Sequence, residues 1–180
     1  MNFELIPLCE EHKQQFKRDM QVSFQQGAVD GFGEMEEEIL PESHIDRSLS
    51  ANEAVVDGMP VGGAIVVIDK ETQHNHLDFL FVKVGVQSKG VGQSIWNAIE
   101  KLHPEAKVWE TCTPYFEKRN IHFYVNRCGF HIVEFYNKNH PDPNDPDGYE
   151  MEEGTNKEYF EGMFRFEKIM KQTNSNLSKE

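Results

Sequence analysis

Residues Leu77–Leu102 read LDFLFVKVGVQSKGVGQSIWNAIEKL, and three patterns follow one another along them. Leu77–Val84 is an apolar run of strand length. Gly90 and Gly92 then stand in a short loop. From Val91 onward, Val91, Ile95, Ala98, Ile99 and Leu102 fall at i, i+4, i+7, i+8 and i+11, which is one face of a helix. A glycine loop that opens directly into a helix can hold phosphate. The first N–H groups point out of the helix end, the macrodipole favours negative charge, and missing side chains let a ligand reach the backbone. A phosphorylated cofactor is therefore expected here.

Spacing selects among such cofactors. No GxxxxGK(S/T) run is present, and Gly90-Val91-Gly92 is followed by Gln93-Ser94-Ile95, without the third glycine of a dinucleotide loop. The segment instead reads Q-x-x-G-x-G, as Gln87-Ser88-Lys89-Gly90-Val91-Gly92, five residues after the strand residue Val82. This strand, hexapeptide and helix resemble the acetyl-CoA signature of the GNAT (Gcn5-related) N-acetyltransferase superfamily. The resemblance implies acetyl-CoA as co-substrate. Its pyrophosphate would rest on Gln87, Ser88, Lys89, Gly90, Val91, Gly92 and Gln93, and its pantetheine arm on strand backbone at Leu80, Val82 and Val84. The family often has proline where Val84 stands.

Element order along the whole chain agrees with that resemblance. A strand Phe3–Leu8 precedes a helix over Glu10–Gln26, with Phe16, Met20, Ser23 and Phe24 on its inner stripe and a break at Gly27–Gly33. An acidic helix is expected over Glu34–Leu49. Strands Glu53–Asp57, Val61–Asp69 and Leu77–Val84 follow as a meander. After the loop and its helix come a strand Lys107–Thr111, a helix over about Glu117–Arg127 closed by Gly129, and strands Phe130–Asn137 and Gly162–Ile169. The order βααβββαβαββ is that of the GNAT fold. It implies an α+β architecture, a mixed and mostly antiparallel central sheet with helices on both faces. In it the Leu77–Val84 and Lys107–Thr111 strands splay apart to admit the pantetheine arm. One domain over residues 1–170 with a polar tail over 171–180 is expected.

Acetyl transfer to an amine needs groups that remove protons from the amine and return one to the leaving thiolate. Strand alternation places His74, His76, Asp78 and Leu80 on one face. The resemblance puts a carboxylate base or amine contact at Asp78, in L-(D/E)-x-L-x-V, and matches His76 to the glutamate base of histone-acetylating members. The family pattern N-x-x-A-x-x-F-Y-x-x-x-G-F is approached by Asn120-Ile121-His122-Phe123-Tyr124 and Gly129-Phe130. It implies Asn120 as a cofactor contact and Tyr124 as the general acid. Tyr124 stands five residues before Gly129, where the family has four. Either the helix ends with an extra residue that restores Tyr124 to the site, or Tyr124 packs with Ile121, Val125 and Cys128. The offset also leaves open a non-catalytic acyl-CoA-binding module. No third ligand lies near His74-x-His76 in the chain, so no metal is expected.

Composition bounds the rest. With 180 residues, 38% of them hydrophobic, the chain is long enough for one full core. A net charge of −13 argues against nucleic acid and anionic membrane as partners and leaves a cationic small-molecule or peptide amine as the expected substrate. The acidic segments Glu34–Glu38 and Asp142–Glu153 are where the resemblance places acceptor contacts. Cys9, Cys112 and Cys128 are widely spaced, so a reducing, cytoplasmic setting is expected, with Cys112 and Cys128 in packing roles. A homodimer through the late strands is common among such proteins.

Overall fold

The computed structural model describes residues 2–33, 50–86, 90–144 and 161–171. Its strands are β1 (Phe3–Pro7), β2 (Ser50–Val56), β3 (Met59–Val67), β4 (His74–Val82), β5 (Val108–Pro114), β6 (His131–Asn137) and β7 (Gly162–Ile169). Among the described residues they form one seven-stranded sheet in the order β1-β2-β3-β4-β5-β7-β6. Only β4 and β5 pair in parallel; the other neighbours are antiparallel. The expected acidic helix over Glu34–Leu49 and the tail from residue 172 lie outside the described residues.

Helices cover both faces, as the sequence implies. On one face α2 (Val91–Leu102) buries Val91, Ile95, Trp96 and Ile99 against Ala64, Val66, Leu77, Trp109 and Phe166. Of the periodic stripe in the sequence, Val91, Ile95 and Ile99 lie in this buried face while Leu102 is 51% exposed. Trp96, outside the stripe, is buried and meets Trp109 edge-on at 5.5 Å between ring centres. On the other face α1 (Lys13–Phe32) sets Phe16 and Met20 against Ile65 and Phe81. No helix among the described residues is long and apolar enough to cross a membrane.

Three local features depart from the sequence reading. The first is that α1 does not break at Gly27 but runs on to Phe32. Gly27 and Gly31 are where the helix approaches the turn after β5: a Cβ at Gly31 would lie 3.7 Å from the Phe116 ring and 3.8 Å from Glu117 Oε2. Each glycine weakens the helix by roughly 1 kcal/mol relative to alanine, yet the helix runs through both. The helix stops at Gly33, whose φ of +109° ends it while its N–H still bonds the Val29 carbonyl at 3.0 Å.

The second departure is in β4. Ile65 sits opposite Phe79 while Val66 sits opposite Leu77, so Asp78 is an extra residue in a β-bulge. The bulge reverses the alternation. Leu77 lies on the α2 side before it, and Leu80 and Val82 lie on that side after it, whereas Phe79 and Phe81 pack toward α1. Leu80 therefore does not share a face with His76, as uninterrupted alternation predicts.

The third concerns the chain after β5. A short α3 (Lys118–His122) continues into a π-helical turn over Phe123–Cys128. A π turn spends one more residue per turn than an α-helix. Gly129, with φ of +81°, closes it, and its N–H bonds the Tyr124 carbonyl five residues back.

Beneath the start of α1, His12 Nδ1 lies 2.7 Å from Oε2 of Glu53, a carboxylate on β2 whose residue is 4% exposed. The hydrogen bond from Glu53, then its charge, raises the His12 pKa above 6.5. A pKa raised on folding contributes stability that is complete below 6.5 and is lost as pH climbs through the folded value. Urea midpoints should therefore fall across that window. The His12→Asn variant should be less stable below it and should lose this part of the slope; a wild-type slope in the variant would exclude the pair as its source.

Candidate active site

The site begins where β4 and β5 stop pairing. They share only His74–Val108, Asn75–Trp109 and His76–Glu110, although β4 continues to Val82 and β5 to Pro114. Beyond the last pair each strand keeps its outer partner, β3 or β7, so the sheet opens like a V. At its apex the Thr111 hydroxyl donates to the Leu77 carbonyl at 2.9 Å, a side-chain bond where the ladder has ended. Along the open edge, the Val82 carbonyl accepts the Ser23 hydroxyl at 3.1 Å.

A cleft of about 970 Å³ occupies this gap, within the range of small-molecule and cofactor sites. It passes through the sheet. On one side it is lined by Gly90–Gln93 at the start of α2 and by Asn120, Phe123, Tyr124 and Arg127; on the other by Ser23, Phe24, Gly27, Asp30 and Gly31 of α1. Leu80, Phe81 and Val82 form the wall between.

The α2 end has the predicted form. Gly90 is the N-cap, in the left-handed region at φ +76°. The first helical bond runs from the Ser94 N–H to the Gly90 carbonyl at 3.0 Å. The N–H groups of Val91, Gly92 and Gln93 therefore precede the helical ladder, and all three residues line the cleft. A Cβ on Gly92 would stand 3.4 Å from the Phe123 ring and 3.6 Å from Val82. Gln87, Ser88 and Lys89 lie outside the described residues.

Tyr124 lines the same cleft, and the π turn explains how. Its carbonyl accepts the N–H groups of both Gly129 and Phe130. The one-residue excess before Gly129 is thus absorbed in the widened turn rather than rotating the tyrosine away by roughly 100°. The ring is packed among Phe123, Phe130 and Phe166. Burial raises the Tyr124 pKa well above that of free tyrosine, and a hydrogen bond with the Thr111 hydroxyl counters part of the rise. The phenol is held protonated. Asn120, four residues earlier, donates from Nδ2 to Thr113 Oγ1 at 3.4 Å.

His76 and Asp78 are brought together elsewhere. Their Nδ1 and Oδ1 atoms are 2.7 Å apart, and neither residue lines the cleft. They sit at the V apex, where His76 is in the last β4–β5 pair and Asp78 is the bulged residue. Beside them Arg165 Nη1 donates to Glu110 at 2.6 Å and Glu167 at 2.8 Å, and His74 Nε2 lies 2.9 Å from Glu110. His74, Glu110 and Glu167 bring three potential metal-ligand atoms within 4.8 Å of one another. A search along the sequence near His74 misses this group because Glu110 and Glu167 arrive on other strands. The Arg165 guanidinium already supplies a cation there. Val84 is 47% exposed and is not among the cleft-lining residues.

Two sets of cleft residues were missed in the sequence. Lys118, Arg119, His122 and Arg127 all line the cleft, a cationic rim on a chain of net charge −13. Lys118, Arg119 and Arg127 form no ion pair among the described residues. Clustering of basic residues around Asn120 was the available signal. Glu117, 6% exposed, and Asp30 give an acidic contribution where α1 meets the cleft. Nothing local in the sequence marks Glu117 as buried.

Comparisons with known proteins agree with this geometry. The model of the acetyltransferase (GNAT) family matches residues 11–130. The uncharacterized protein YrkN of Bacillus subtilis (strain 168) is 44% identical over 164 residues, spanning 87% of this chain and 88% of that protein. A PaiA N-acetyltransferase from Thermoplasma acidophilum, solved with coenzyme A, superposes with a TM-score of 0.64 at 16% identity, over 94% of this chain and all 100% of the other. A GNAT family acetyltransferase from Elizabethkingia anophelis with acetyl-CoA bound gives 0.66 at 13% identity, covering 94% and 99%. The chain belongs to the GNAT acetyltransferase family.

Gly129 holds the end of the π turn in a conformation that a Cβ disfavours by about 1–2 kcal/mol. Gly129→Ala should lower unfolding free energy by that amount in urea titrations. Full stability in the variant would show that the turn does not require the left-handed residue.

Proposed function

We propose that this protein transfers acetyl from acetyl-CoA to a primary amine by direct attack within a ternary complex. The observation that carries the reading is the cleft through the β4–β5 gap, with three unladdered N–H groups at one end and the buried Tyr124 among its lining residues. Bound acetyl-CoA would supply an activated thioester carbonyl and a thiolate leaving group. The cradle fits it: the α2 N–H groups suit a pyrophosphate, and Lys118, Arg119 and Arg127 offer charge to further phosphate. The sequence resemblance assigns Gln87–Lys89, which lie outside the described residues, to the same pyrophosphate. Main-chain groups of Leu80–Val82, the strand residues that line the cleft, would contact the pantetheine arm and the carbonyl oxygen.

The acceptor enters from the α1 side. An ammonium must lose a proton before it attacks. The sequence resemblance assigns this to the hydrogen-bonded His76–Asp78 pair, which stands at the V apex outside the cleft lining and would need a water to reach the amine. Tyr124 then gives its proton to the departing sulfur. Around the apex Asp78, Glu110 and Glu167 outnumber the one guanidinium of Arg165, and this favours a cationic acceptor. A covalent acyl-enzyme is not part of the reading. Burial pushes the Cys112 and Cys128 thiols up to about 12, so neither is a ready thiolate near neutrality. The π turn, which holds one residue more than an α-helical turn, supports reading the Tyr124 offset as compatible with catalysis rather than as the mark of a non-catalytic module.

Two measurements test the reading. Gly92→Leu should fill the space under Phe123 and raise the acetyl-CoA dissociation constant at least about tenfold in calorimetry, a loss of about 1.4 kcal/mol. Unchanged affinity would remove the α2 end as the phosphate site. Tyr124→Phe should keep acetyl-CoA affinity while turnover, followed as thiol release against a panel of amines, falls about 10²-fold. Wild-type protein that binds acetyl-CoA but releases thiol with no amine would overturn the assignment as a catalyst.

A further inference from the structure

Among the described residues that line the cleft, the buried carboxylate is Glu117, 6% exposed. Its N–H closes the turn after β5 on the Pro114 carbonyl at 3.1 Å. It is the N-cap residue of α3, yet its side chain makes no capping hydrogen bond to that helix. The carboxylate lies across at α1 instead. A Cβ at Gly27 would stand 4.0 Å from its Oε1, and a Cβ at Gly31 would stand 3.8 Å from its Oε2. Side chains at those two positions would lie against the carboxylate; as glycines they leave it bordered by bare helix.

A carboxylate buried in a cleft favours a cationic ligand group, because little water screens the attraction. Asp30, the other acid at this end, is exposed and accepts from Gln26 Nε2 at 2.7 Å, so solvent weakens its pull. Position decides which nitrogen Glu117 takes. Tyr124 stands seven residues further along the same helical segment, about 10 Å by helical rise. A carboxylate gripping the reacting nitrogen would also hold it as an ammonium, with no lone pair for attack. Glu117 therefore suits a second cation, set apart from the amine that is acylated. Phe24 and Phe116 line the cleft as well and offer apolar surface to a methylene chain between the two nitrogens.

We propose that Glu117 determines acceptor specificity by binding the distal ammonium of a slender primary diamine in the space that Gly27 and Gly31 leave beside α1. This deepens the acceptor side of the proposed reaction and rests on that reading. No covalent bond to Glu117 forms or breaks. The distal nitrogen stays protonated, and the proximal one, once deprotonated, attacks the thioester carbonyl. One diamine and one acetyl-CoA give the mono-N-acetyl diamine and coenzyme A.

Calorimetry on the protein loaded with coenzyme A reads the site without turnover. Among α,ω-diamines from 1,4-diaminobutane to 1,8-diaminooctane, the best should bind at least about tenfold tighter than the monoamine of equal chain length. Glu117→Gln should erase that preference while binding coenzyme A no more weakly than wild type, which reports an intact cleft. Glu10→Gln removes the same charge from a side chain that is 87% exposed and outside the cleft lining, and should keep the wild-type ratio. In turnover the preference should appear in kcat/KM and be carried by KM. Equal binding of monoamines and diamines overturns the proposal, as does a ratio that survives Glu117→Gln or falls as far in Glu10→Gln. Should Glu117→Gln not fold, Gly31→Leu covers the carboxylate while leaving it in place and should erase the preference in the same way. Diamine binding with no acetyl transfer would refute the proposed function and leave this site standing; transfer to monoamines and diamines alike would do the reverse.

Discussion

The parting of β4 from β5 after three residue pairs is the constraint on which the site depends. Two strands that ran on in register would bury their facing N–H and C=O groups in each other and leave no gap. Here the ladder is stopped early, and β3 and β7 hold the two strands from outside. The main-chain edge this exposes must find other partners. Thr111 and Ser23 hydroxyls take up the carbonyls of Leu77 and Val82. The remainder of that edge is the wall of a cleft. Polar backbone that a continuous sheet would consume is kept for a ligand.

Around that gap, two single-residue insertions set the chemistry. Asp78 is an extra residue in β4, which keeps it with His76 while the strand beyond turns Leu80 toward α2. Within the helix after β5, the π turn accommodates one residue more than an α-helix would, and Tyr124 stays in the cleft wall. Both irregularities cost regular hydrogen bonding, and both lie next to the proposed chemistry.

Much of this was legible in the sequence. The apolar strand, the glycine at 90 and the stripe residues Val91, Ile95 and Ile99 became β4, a left-handed N-cap and the buried face of α2, while Leu102 stayed exposed. These are local signals, set by neighbours within a turn or two. The bulge at Asp78 was not legible, because it depends on register with Ile65 and Val66 across the sheet. Nor was the length of α1, which runs through Gly27 and Gly31 where local propensity reads a break. The Tyr124 offset was visible as a count of residues, but only the backbone could say whether the extra one widened the helix or rotated the ring. Thr111 gave no sequence signal at all; its place at the V apex is a property of the opened sheet.

The cationic rim of Lys118, Arg119, His122 and Arg127 has a kinetic side. The molecule carries −13 overall, so a polyanion approaching from afar is repelled, and only within a Debye length, about 8 Å at physiological ionic strength, does the rim dominate. Salt therefore acts in opposite directions at the two ranges: it softens the distant repulsion and weakens the final grip. Long-range steering, which lets some proteins draw in charged ligands faster than diffusion alone would deliver them, works against such a ligand here. Its capture is decided at contact, by how long the rim and the helix end hold it, rather than by how often it arrives.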